Sequence, residues 1–152
     1  MSEMFDVALK HLSTRRISIS ELKSLLEKDF SSTPNVDELV EKTINRLKGL
    51  NLINDSYIAS NQAQRYQHKG NRFIIQKLQQ KGIDEESIDN AIESLPSEFE
   101  RALPEARKKL RSIHNLEAKS KENKLLQFLS SRAFSANTCY QVIDELKEDF
   151  TT

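Results

Sequence analysis

The chain has 152 residues, of which 37% are hydrophobic and 30% are charged, a composition typical of a soluble protein with a large wetted surface. Its 23 basic and 23 acidic side chains cancel, which by itself argues against a nucleic-acid-binding protein. Three Gly, three Pro and no Trp leave little material for β-sheets or glycine-rich loops, so an all-α fold is expected.

Residues 4–54 predict three helices separated by polar turns. Ser18 and Glu21 have the spacing of a capping box, in which the hydroxyl and the carboxylate each accept a hydrogen bond from a backbone amide at the helix start. Asp55 is the candidate N-cap of the helix that follows. The apolar residues of the three predicted helices are Phe5, Ala8, Leu9 and Leu12, then Leu22, Leu25 and Leu26, then Val40, Ile44 and Leu47.

Residues 55–96 predict a second set of three helices. Gly82 ends the middle helix, Asp84 caps the third, Glu85 and Glu86 suit the positive end of that helix, and Pro96 ends it. The apolar residues of this set are Ile58, Ala63 and Tyr66, then Phe73, Ile74 and Leu78, then Ile88, Ile92 and Leu95.

Residues 97–150 predict a third set. Pro104 lies inside the first apolar stripe, and because proline removes a backbone hydrogen bond, a kink or a fresh helix start is expected there. The polar segment 115–123 is either a long loop or a frayed helical extension. The apolar residues are Phe99, Ala102, Leu103, Ala106 and Leu110, then Leu125, Leu126 and Leu129, then Val142, Ile143 and Leu146.

One pattern recurs in all three sets: an apolar residue, two variable residues, a cation, a small or turn-tolerant residue and a second apolar residue. It occupies Leu25–Phe30, Leu78–Ile83 and Leu129–Phe134, at spacings of 53 and 51 residues. Each anchor leucine has an apolar partner three residues earlier, at Leu22, Ile75 and Leu126 respectively. The sequence therefore predicts three tandem three-helix, helix-turn-helix-like repeats, with borders at 4–54, 55–96 and 97–150, in an elongated, curved array.

The charges lie in blocks along the chain. Residues 56–83 contain five cations and no acid, residues 84–100 contain seven acids and no cation, and residues 101–132 contain nine cations against three acids. Such blocks create local fields that a net charge of zero conceals. The two basic blocks are candidate surfaces for phosphates or an acidic protein, and the alternative is that they are solvated faces of surface helices.

Few groups in the sequence could converge for catalysis. His11, His68 and His114 are scattered without a second ligand at metal spacing, and the isolated glycines cannot form a phosphate loop, so neither a metal nor a cofactor is expected. Cys139 falls at a core position of the repeat and is interpreted as a small core residue rather than a nucleophile. A non-enzymatic binding protein is the expectation.

The sequence also predicts a cytoplasmic location. No apolar run reaches the roughly 18 residues of a membrane span, and the first residues lack the apolar core of a signal peptide. A single cysteine excludes an intrachain disulfide, which suits a reducing compartment.

The order and spacing of these motifs resemble the RecX family. Ala8–Arg15 with the Ser18 cap is similar to the first-repeat pattern of that family, and Asn51–Asp55 resembles its Gly-Tyr-Leu-Asp-Asp junction. Leu78–Ile83 is similar to the family's Leu-x-x-Lys-Gly-Ile motif, and Lys124–Phe134 to its Phe-Leu-x-x-Arg-Gly-Phe motif.

This sequence departs from the family pattern at several turns. Asn51 and Ala133 stand where the family has turn glycines, and a family stretch Lys-Gly-x-Gly-Pro is reduced to Lys69-Gly70-Asn71. Asparagine adopts the left-handed conformation of such turns more readily than alanine does.

The resemblance implies a cytoplasmic protein that binds the RecA filament on single-stranded DNA and inhibits the ATPase, recombinase and coprotease activities of RecA. It places the protein in DNA repair, recombination and the SOS response, as a monomer that reaches DNA through the filament. Basic residues in the matched repeats are candidate contacts for RecA or DNA, namely Arg15, Lys81, Lys124 and Arg132. Local charge alone adds Arg65, Lys69, Arg72, Lys77, Lys108, Lys109 and Arg111.

Two other functions are compatible with the residues. A stand-alone DNA-binding module would use the same cations on phosphates, and Tyr57, Tyr66 and Phe73 could stack on bases, although their helical spacing favours a core role. An α-helical adaptor for an unrelated protein is the other alternative.

Overall fold

The computed structural model describes residues 2–151 and consists of α-helices joined by short turns, so the predicted all-α fold is confirmed. The helices follow one another in the order that the three-helix repeat predicts, whereas the exact repeat borders stay a prediction. The helices of this part of the chain are α1 (Ser2–Thr14), α2 (Ile19–Asp29), α3 (Val36–Gly49), α4 (Asp55–Arg65), α5 (Asn71–Gln80), α6 (Glu85–Glu93), α7 (Glu98–Ser112), α8 (Ala118–Ser131), α9 (Ala136–Leu146) and a 3-10 helix (Lys147–Thr151).

The chain forms two compact units that are not continuous in sequence. The first unit comprises the chain up to Asn61 together with Lys77–Ala91, and the second comprises Gln62–Gln76 together with the chain from Ile92 onward. The division therefore runs through α4, α5 and α6, inside the second predicted repeat.

Each unit has its own hydrophobic core. In the first unit α1, α2 and α3 pack against one another, and in the second α7, α8, α9 and the 3-10 helix do so. The first core is formed by Met4, Ala8, Ile17, Leu22, Leu26, Val40, Ile44, Leu47 and Ile53. The second is formed by Ala102, Ala106, Ile113, Leu125, Leu129, Phe134, Cys139, Val142, Ile143, Leu146 and Phe150.

Local polar side chains start several helices where the sequence predicts. The capping box of α2 is confirmed, since the Glu21 amide donates to Ser18 Oγ over 3.0 Å and the Ser18 amide donates to Glu21 Oε1 over 2.9 Å. Asp84 also caps as predicted, because its Oδ2 accepts from the amide of Ser87 at 3.0 Å.

The predicted N-cap of α4 is wrong by one residue. Asp55 is the first residue of α4, and the capping side chain belongs to Asn54, whose Oδ1 accepts from the amide of Tyr57 at 3.1 Å. The carboxylate of Asp55 instead accepts a hydrogen bond from the amide of Ile19 at 2.9 Å, a partner 36 residues away that local spacing cannot reveal.

The repeat pattern is also one residue out of register in the first repeat. The buried pairs of the middle helices are four residues apart rather than three, and in the first repeat the anchor is Leu26, since Leu25 is only partly buried. Gly82 and Ala133 adopt positive φ angles of 76° and 68°, whereas the first repeat has no left-handed residue at this turn. Phe30 therefore follows its anchor one residue sooner, with its amide donating to the carbonyl of Leu26 at 3.0 Å.

Two open questions in the third repeat are settled. A fresh helix start at Pro104 is wrong, because α7 is continuous through it. Since proline has no amide hydrogen, the Glu100 carbonyl lacks its usual amide donor in the helix. Segment 115–123 is not a long loop, since α8 begins at Ala118 and most of the segment is a helical extension.

Carboxylates link the start of one repeat to the middle helix of the repeat before it. In the first unit, Asp55 at the head of α4 binds the amide of Ile19, the first residue of α2. In the second unit, Glu98 at the head of α7 binds the amide of Asn71, the first residue of α5, at 2.7 Å. The same contact is thus made twice by corresponding residues.

A turn carbonyl reinforces each of these links. The hydroxyl of Ser18, which precedes α2, donates to the carbonyl of Lys81, and the amide of Gly70, which precedes α5, donates to the carbonyl of Arg132 at 2.8 Å. The second predicted repeat therefore binds the first repeat through the C-terminal turn of α5 and the third through the N-terminus of α5. This explains why the compact units cut across it.

Candidate binding surface

Cations of the second unit, two of them exposed and two partly buried, lie on α7, on α8 and at the C-terminal end of α8. Lys109 Nζ lies 5.6 Å from the centre of the Phe128 ring, and the guanidinium carbon of Arg132 lies 4.7 Å from it. Lys124 is exposed one helical turn before Phe128, so it lies on the same side of α8. Lys108 precedes Lys109 on α7 and is exposed. We call these five residues the Phe128 surface.

One acidic residue, Glu105, partly neutralises the positive charge of this surface. Arg132 Nη1 lies 3.7 Å from Glu105 Oε1, and both side chains are largely covered. Stacking on Phe128 holds the guanidinium of Arg132 in place by cation–π attraction, while the ammonium groups of Lys108 and Lys124 are exposed. The arrangement combines a positive charge held against a ring with positive charges exposed to solvent.

The predicted site residue Arg111 belongs to a neighbouring concavity. It lines an open cavity of about 270 Å³ with Arg107, His114 and the buried Lys121, and Asp149 is the acid in the lining. The Nδ1 atom of His114 lies 2.9 Å from the carbonyl of Arg111, so this nitrogen carries a proton and donates it to the carbonyl.

The turn before α5 carries Lys69 and is held by a buried arginine. Arg101 is only 6% exposed, and its Nη1 donates to the carbonyls of Lys69 at 2.7 Å and Gln67 at 3.2 Å. Its Nε donates to the carbonyl of Pro96 at 2.9 Å, and its Nη2 donates to the side chain of Asn71. Burial lowers the pKa of Arg101, but accepting groups bind four of the five N–H donors of the guanidinium.

Three predicted site residues lie on or beside this turn. Arg65, the last residue of α4, and Arg72, the second residue of α5, are exposed. Lys69 is partly buried, and its ammonium lies 4.9 Å from the centre of the Phe73 ring. Of these three, Lys69 has its backbone carbonyl bound by Arg101, so the position of Lys69 depends on α7.

Glu98 ties the same turn to α9. Its Oε1 accepts from the amide of Ser135 at 3.1 Å and from the hydroxyl of Thr138 at 2.7 Å, while its Oε2 accepts from Asn71. Burial alone would raise the pKa of Glu98, but these hydrogen bonds outweigh it and lower the pKa. The ionised carboxylate is therefore a structural group of the second unit.

In the first unit, the predicted site residues have different environments. Arg15 is exposed in the linker between α1 and α2, and Lys77 is exposed on α5. Lys81 has a structural role, since its Nζ lies 3.0 Å from Glu21 Oε1 and donates to the carbonyl of Arg16 at 3.4 Å. Burial acts to raise the pKa of Glu21, but the Ser18 amide and Lys81 outweigh it and lower the pKa.

The clustering of charges in the sequence does not reveal that two of the cations are buried. Lys121 is 4% exposed and donates to the carbonyl of Phe150 at 2.9 Å. Its position four residues before Leu125 and eight before Leu129 places it on the buried stripe of α8, a signal that the sequence contains. The burial of Arg101 has no such signal, because three of its four acceptors, on Gln67, Lys69 and Asn71, lie 30 to 34 residues away in the chain.

Of the three aromatic residues that could stack on bases, two are packed in the protein and one is exposed. Tyr66 and Phe73 are partly buried and meet edge to face at 5.4 Å, which supports a packing role. Tyr57 is 55% exposed, and the guanidinium carbon of Arg16 lies 5.1 Å from its ring centre.

Cys139 is buried in the second core, as its repeat position predicts, and burial raises the pKa of its thiol. Within residues 2–151, no three His, Cys, Asp or Glu side chains are grouped so that they could hold a metal ion. None of the helices in that range combines the length and the apolar character needed to cross a bilayer.

Two family models match consecutive parts of the chain. The second three-helix domain of RecX matches residues 60–92, and the third three-helix domain of RecX matches residues 97–143. Together they cover more than half of the 152 residues.

Curated relatives match along most of the chain. Regulatory protein RecX of Clostridioides difficile is 31% identical over 144 residues, which are 91% of this chain and 66% of the relative. Regulatory protein RecX of Limosilactobacillus reuteri is 29% identical over 150 residues, 95% of this chain and 54% of the relative. The chain thus spans between about half and two thirds of the length of these relatives.

Solved structures share the fold. The crystal structure of RecX from Lactobacillus salivarius has a TM-score of 0.81 and 26% identity, over 97% of this chain and 96% of that one. A second crystal structure of regulatory protein RecX has a TM-score of 0.74 and 28% identity, over 94% of this chain and 72% of that one. With two RecX domains matched in tandem and a RecX fold along nearly its whole length, the chain belongs to the RecX family.

Proposed function

We propose that this chain regulates RecA by binding the filament that RecA forms on single-stranded DNA and inhibiting its ATPase, recombinase and coprotease activities. Membership of a family whose curated members are named regulatory proteins supports a regulatory role. The resemblance of the repeat motifs to RecX supplies RecA as the partner, and DNA repair and the SOS response as the setting. Direct DNA contact is secondary in this proposal, because the chain has no net charge.

The Phe128 surface is the observation on which the proposal rests most. Exposed ammonium groups on two adjacent helices, beside an arginine held on an aromatic ring, suit a partner that carries phosphates or carboxylates. A RecA–DNA filament presents both. Lys108, Lys109, Lys124 and Arg132 are therefore the proposed contacts, with Arg111 beside them.

The proposed mode of action is non-catalytic. The thiol of Cys139 is buried and its pKa is raised, which disfavours the thiolate that a nucleophile requires. We propose a cytoplasmic monomer that acts by occupying the filament, because RecA and its DNA lie in that compartment.

The test is a titration of the chain into RecA that hydrolyses ATP on single-stranded DNA. Hydrolysis is expected to slow at less than one protein per RecA subunit, because one bound molecule constrains neighbouring subunits of the filament. Unchanged hydrolysis at saturating protein contradicts the proposal.

Charge reversal locates the surface. The variant Lys108→Glu/Lys109→Glu/Arg111→Glu is expected to raise the half-inhibitory concentration about tenfold or more, since like charges across an interface oppose binding. Its melting temperature should change little, because surface substitutions cost within about 0.5 kcal/mol each. The matched control Lys10→Glu/Lys28→Glu/Lys42→Glu changes three exposed cations of the first unit and should inhibit normally. Full inhibition by a folded first variant contradicts this surface.

The second candidate is a stand-alone nucleic-acid-binding module. The exposed Arg65 and Arg72, in a segment without acids, favour it. It requires affinity for DNA without RecA that falls steeply with salt, because phosphate contacts release counterions. Weak, salt-insensitive retention on DNA contradicts it and leaves the filament regulator.

A further inference from the structure

The first unit contains a concave surface that the proposed function does not use. It has a volume of about 260 Å³ and lies between the α1–α2 linker and the α3–α4 linker, with the start of α4 as its third side. We call it the linker groove. The lining residues used below are Leu12, Arg15, Arg16, Ile17, Leu52 and Tyr57.

The linker groove is rich in exposed apolar surface. Among residues 2–151, four large hydrophobic side chains are exposed, and two of them, Leu52 at 45% and Tyr57 at 55%, line this groove. Leu50 lies two residues before Leu52, and Tyr140 belongs to the second unit. Clustered exposed apolar side chains mark interaction sites, because the free protein gains nothing from hydrating them.

The charge of the linker groove has one sign. Arg15 and Arg16 are its only charged lining residues within the described chain, and both are exposed. The nearest acid in sequence, Asp55, directs its carboxylate to the amide of Ile19. The guanidinium carbon of Arg16 lies 5.1 Å from the ring centre of Tyr57, and Arg16 is exposed at the rim of the groove.

The walls of the linker groove are preformed. Asn51 adopts a φ of 57° as its family position requires, and the amide of Leu52 donates to the carbonyl of Leu47 at 2.9 Å. On the opposite wall, the carbonyl of Arg16 accepts from Lys81 Nζ at 3.4 Å. A preformed groove loses little conformational entropy when a ligand enters it.

We propose that the linker groove binds an acidic peptide segment of a protein partner. One aliphatic or aromatic side chain of the peptide enters between Leu52 and Tyr57, over the floor of Leu12 and Ile17. Carboxylates on either side of this anchor bind the guanidinium groups of Arg15 and Arg16. This assigns Arg15 to carboxylates rather than to phosphate.

The lining favours a peptide over single-stranded nucleic acid. An aliphatic floor gains from burying an apolar side chain and gains nothing from a phosphate or sugar. Nucleic-acid grooves stack successive bases on several aromatic rings, whereas this groove has Tyr57 alone among its lining residues. The inference does not depend on the Phe128 surface, which lies in the other unit.

The experiment measures the fluorescence anisotropy of labelled peptides mixed with the full chain, without RecA or DNA. The probe is a decapeptide of Asp, Glu and Ser with one central Leu, and saturable binding is expected. Replacing this Leu by Asn should weaken binding about tenfold or more, since a buried leucine is lost. Replacing the peptide acids by Lys should abolish binding.

Variants of the chain test the groove itself. Tyr57→Ser and the pair Arg15→Glu/Arg16→Glu should each weaken binding of the probe about fivefold or more, since truncating an interface aromatic or opposing charges removes a main contact. Tyr140→Ser and Lys28→Glu are the matched controls, an exposed tyrosine and an exposed cation away from the groove, and should bind normally. Circular dichroism checks that each variant is folded.

Three outcomes overturn the inference. The first is binding of the probe that Tyr57→Ser and Arg15→Glu/Arg16→Glu leave unchanged. The second is equal binding of the Leu and Asn peptides, which would show that the groove does not bind an apolar side chain of the peptide. The third is displacement of the probe by a thymidine oligonucleotide at lower concentration than by unlabelled peptide, which would identify a nucleic-acid surface. Because RecA is absent, none of these results bears on the proposed function.

Discussion

Gly70 lies against the peptide bond between Ala133 and Phe134, at the point where the third repeat meets the second within one compact unit. A Cβ atom at Gly70 would overlap the carbonyl of Ala133, which belongs to the backbone and cannot rotate away as a flexible side chain can. The amide of Gly70 also donates to the carbonyl of Arg132, so the two segments cannot separate without losing that bond.

Gly70→Ala is therefore expected to destabilise the protein by about 2 kcal/mol or more, through the overpacking of backbone against backbone. Gly49→Ala is the matched control: a Cβ at Gly49 meets nothing within 4 Å, and Ala is the better helix former. Urea denaturation followed by circular dichroism measures both changes. Equal stability of the two variants would contradict the close approach.

Ala133 has a φ of 68°, in the left-handed region where the Cβ atom crowds the following carbonyl oxygen. Gly82 occupies the corresponding turn of the second repeat at 76° without that crowding. Ala133→Gly is expected to stabilise the protein by about 0.5–1 kcal/mol. Relief of backbone strain stabilises the folded state, and the greater conformational entropy of glycine in the unfolded chain offsets part of this gain.

Thermal unfolding of Ala133→Gly should therefore give a melting temperature roughly 1–4 °C higher. The control Ala136→Gly lies in α9, where glycine brings no relief of strain, and its melting temperature should not rise. A fall in the melting temperature of Ala133→Gly would show that the turn is not strained.

At the scale of helices, the carboxylates at the heads of α4 and α7 respond to pH in opposite ways. The pKa of Glu98 is lowered, so its ionised form stabilises the fold above the unfolded pKa, and that stability is lost as pH falls through the folded pKa. The pKa of Asp55 is raised, mainly by burial and also by the charge of Asp84, so its contribution falls as pH rises through the folded pKa.

Glu98→Gln should accordingly cost about 1.5–3 kcal/mol at pH 7, the range for hydrogen bonds to a charged group, and the deficit should shrink as the pH falls below about 4.5. Asp55→Asn keeps an oxygen for the Ile19 amide, and its stability relative to the parent should improve as the pH rises from about 4 to 7. Chemical denaturation at several pH values measures both slopes. Parallel slopes would contradict the assignment.

Short-range sequence patterns predict much of each helix. The capping box at Ser18 and Glu21 and the cap at Asp84 are found because all their partners lie within three residues. The register of the first repeat is not predictable from the motif, since nothing in the motif reveals that its turn lacks a left-handed residue. The role of Asp55 is not predictable from local spacing, because its partner Ile19 is 36 residues away in sequence.

The binding surface is less predictable than the helices. Sequence identifies the cations, but their availability depends on partners elsewhere in the chain: Lys81 is paired with Glu21 across 60 residues, and Arg132 with Glu105. Only packing brings Lys109 and Arg132 onto the same ring, that of Phe128.

At the scale of the whole molecule, the two compact units make a truncation informative. A chain ending at Leu95 retains all residues of the first unit but removes Glu98, Arg101 and Arg132, which hold the turn before α5. Hydrogen exchange is expected to show protection kept in α1–α3 and lost over residues 62–76. Protection of residues 62–76 at the level of the full chain would contradict the role of the third repeat.

The division of the second repeat has a consequence for synthesis on the ribosome. The first unit can close once Ala91 has left the exit tunnel, whereas Gln62–Gln76 must wait for the turn at Arg132–Phe134. At about 5–20 residues per second, the wait lasts roughly 3–12 seconds, during which Ala63 and Ile74 have no finished core to enter. That interval is when a chaperone would find the nascent chain most open to capture.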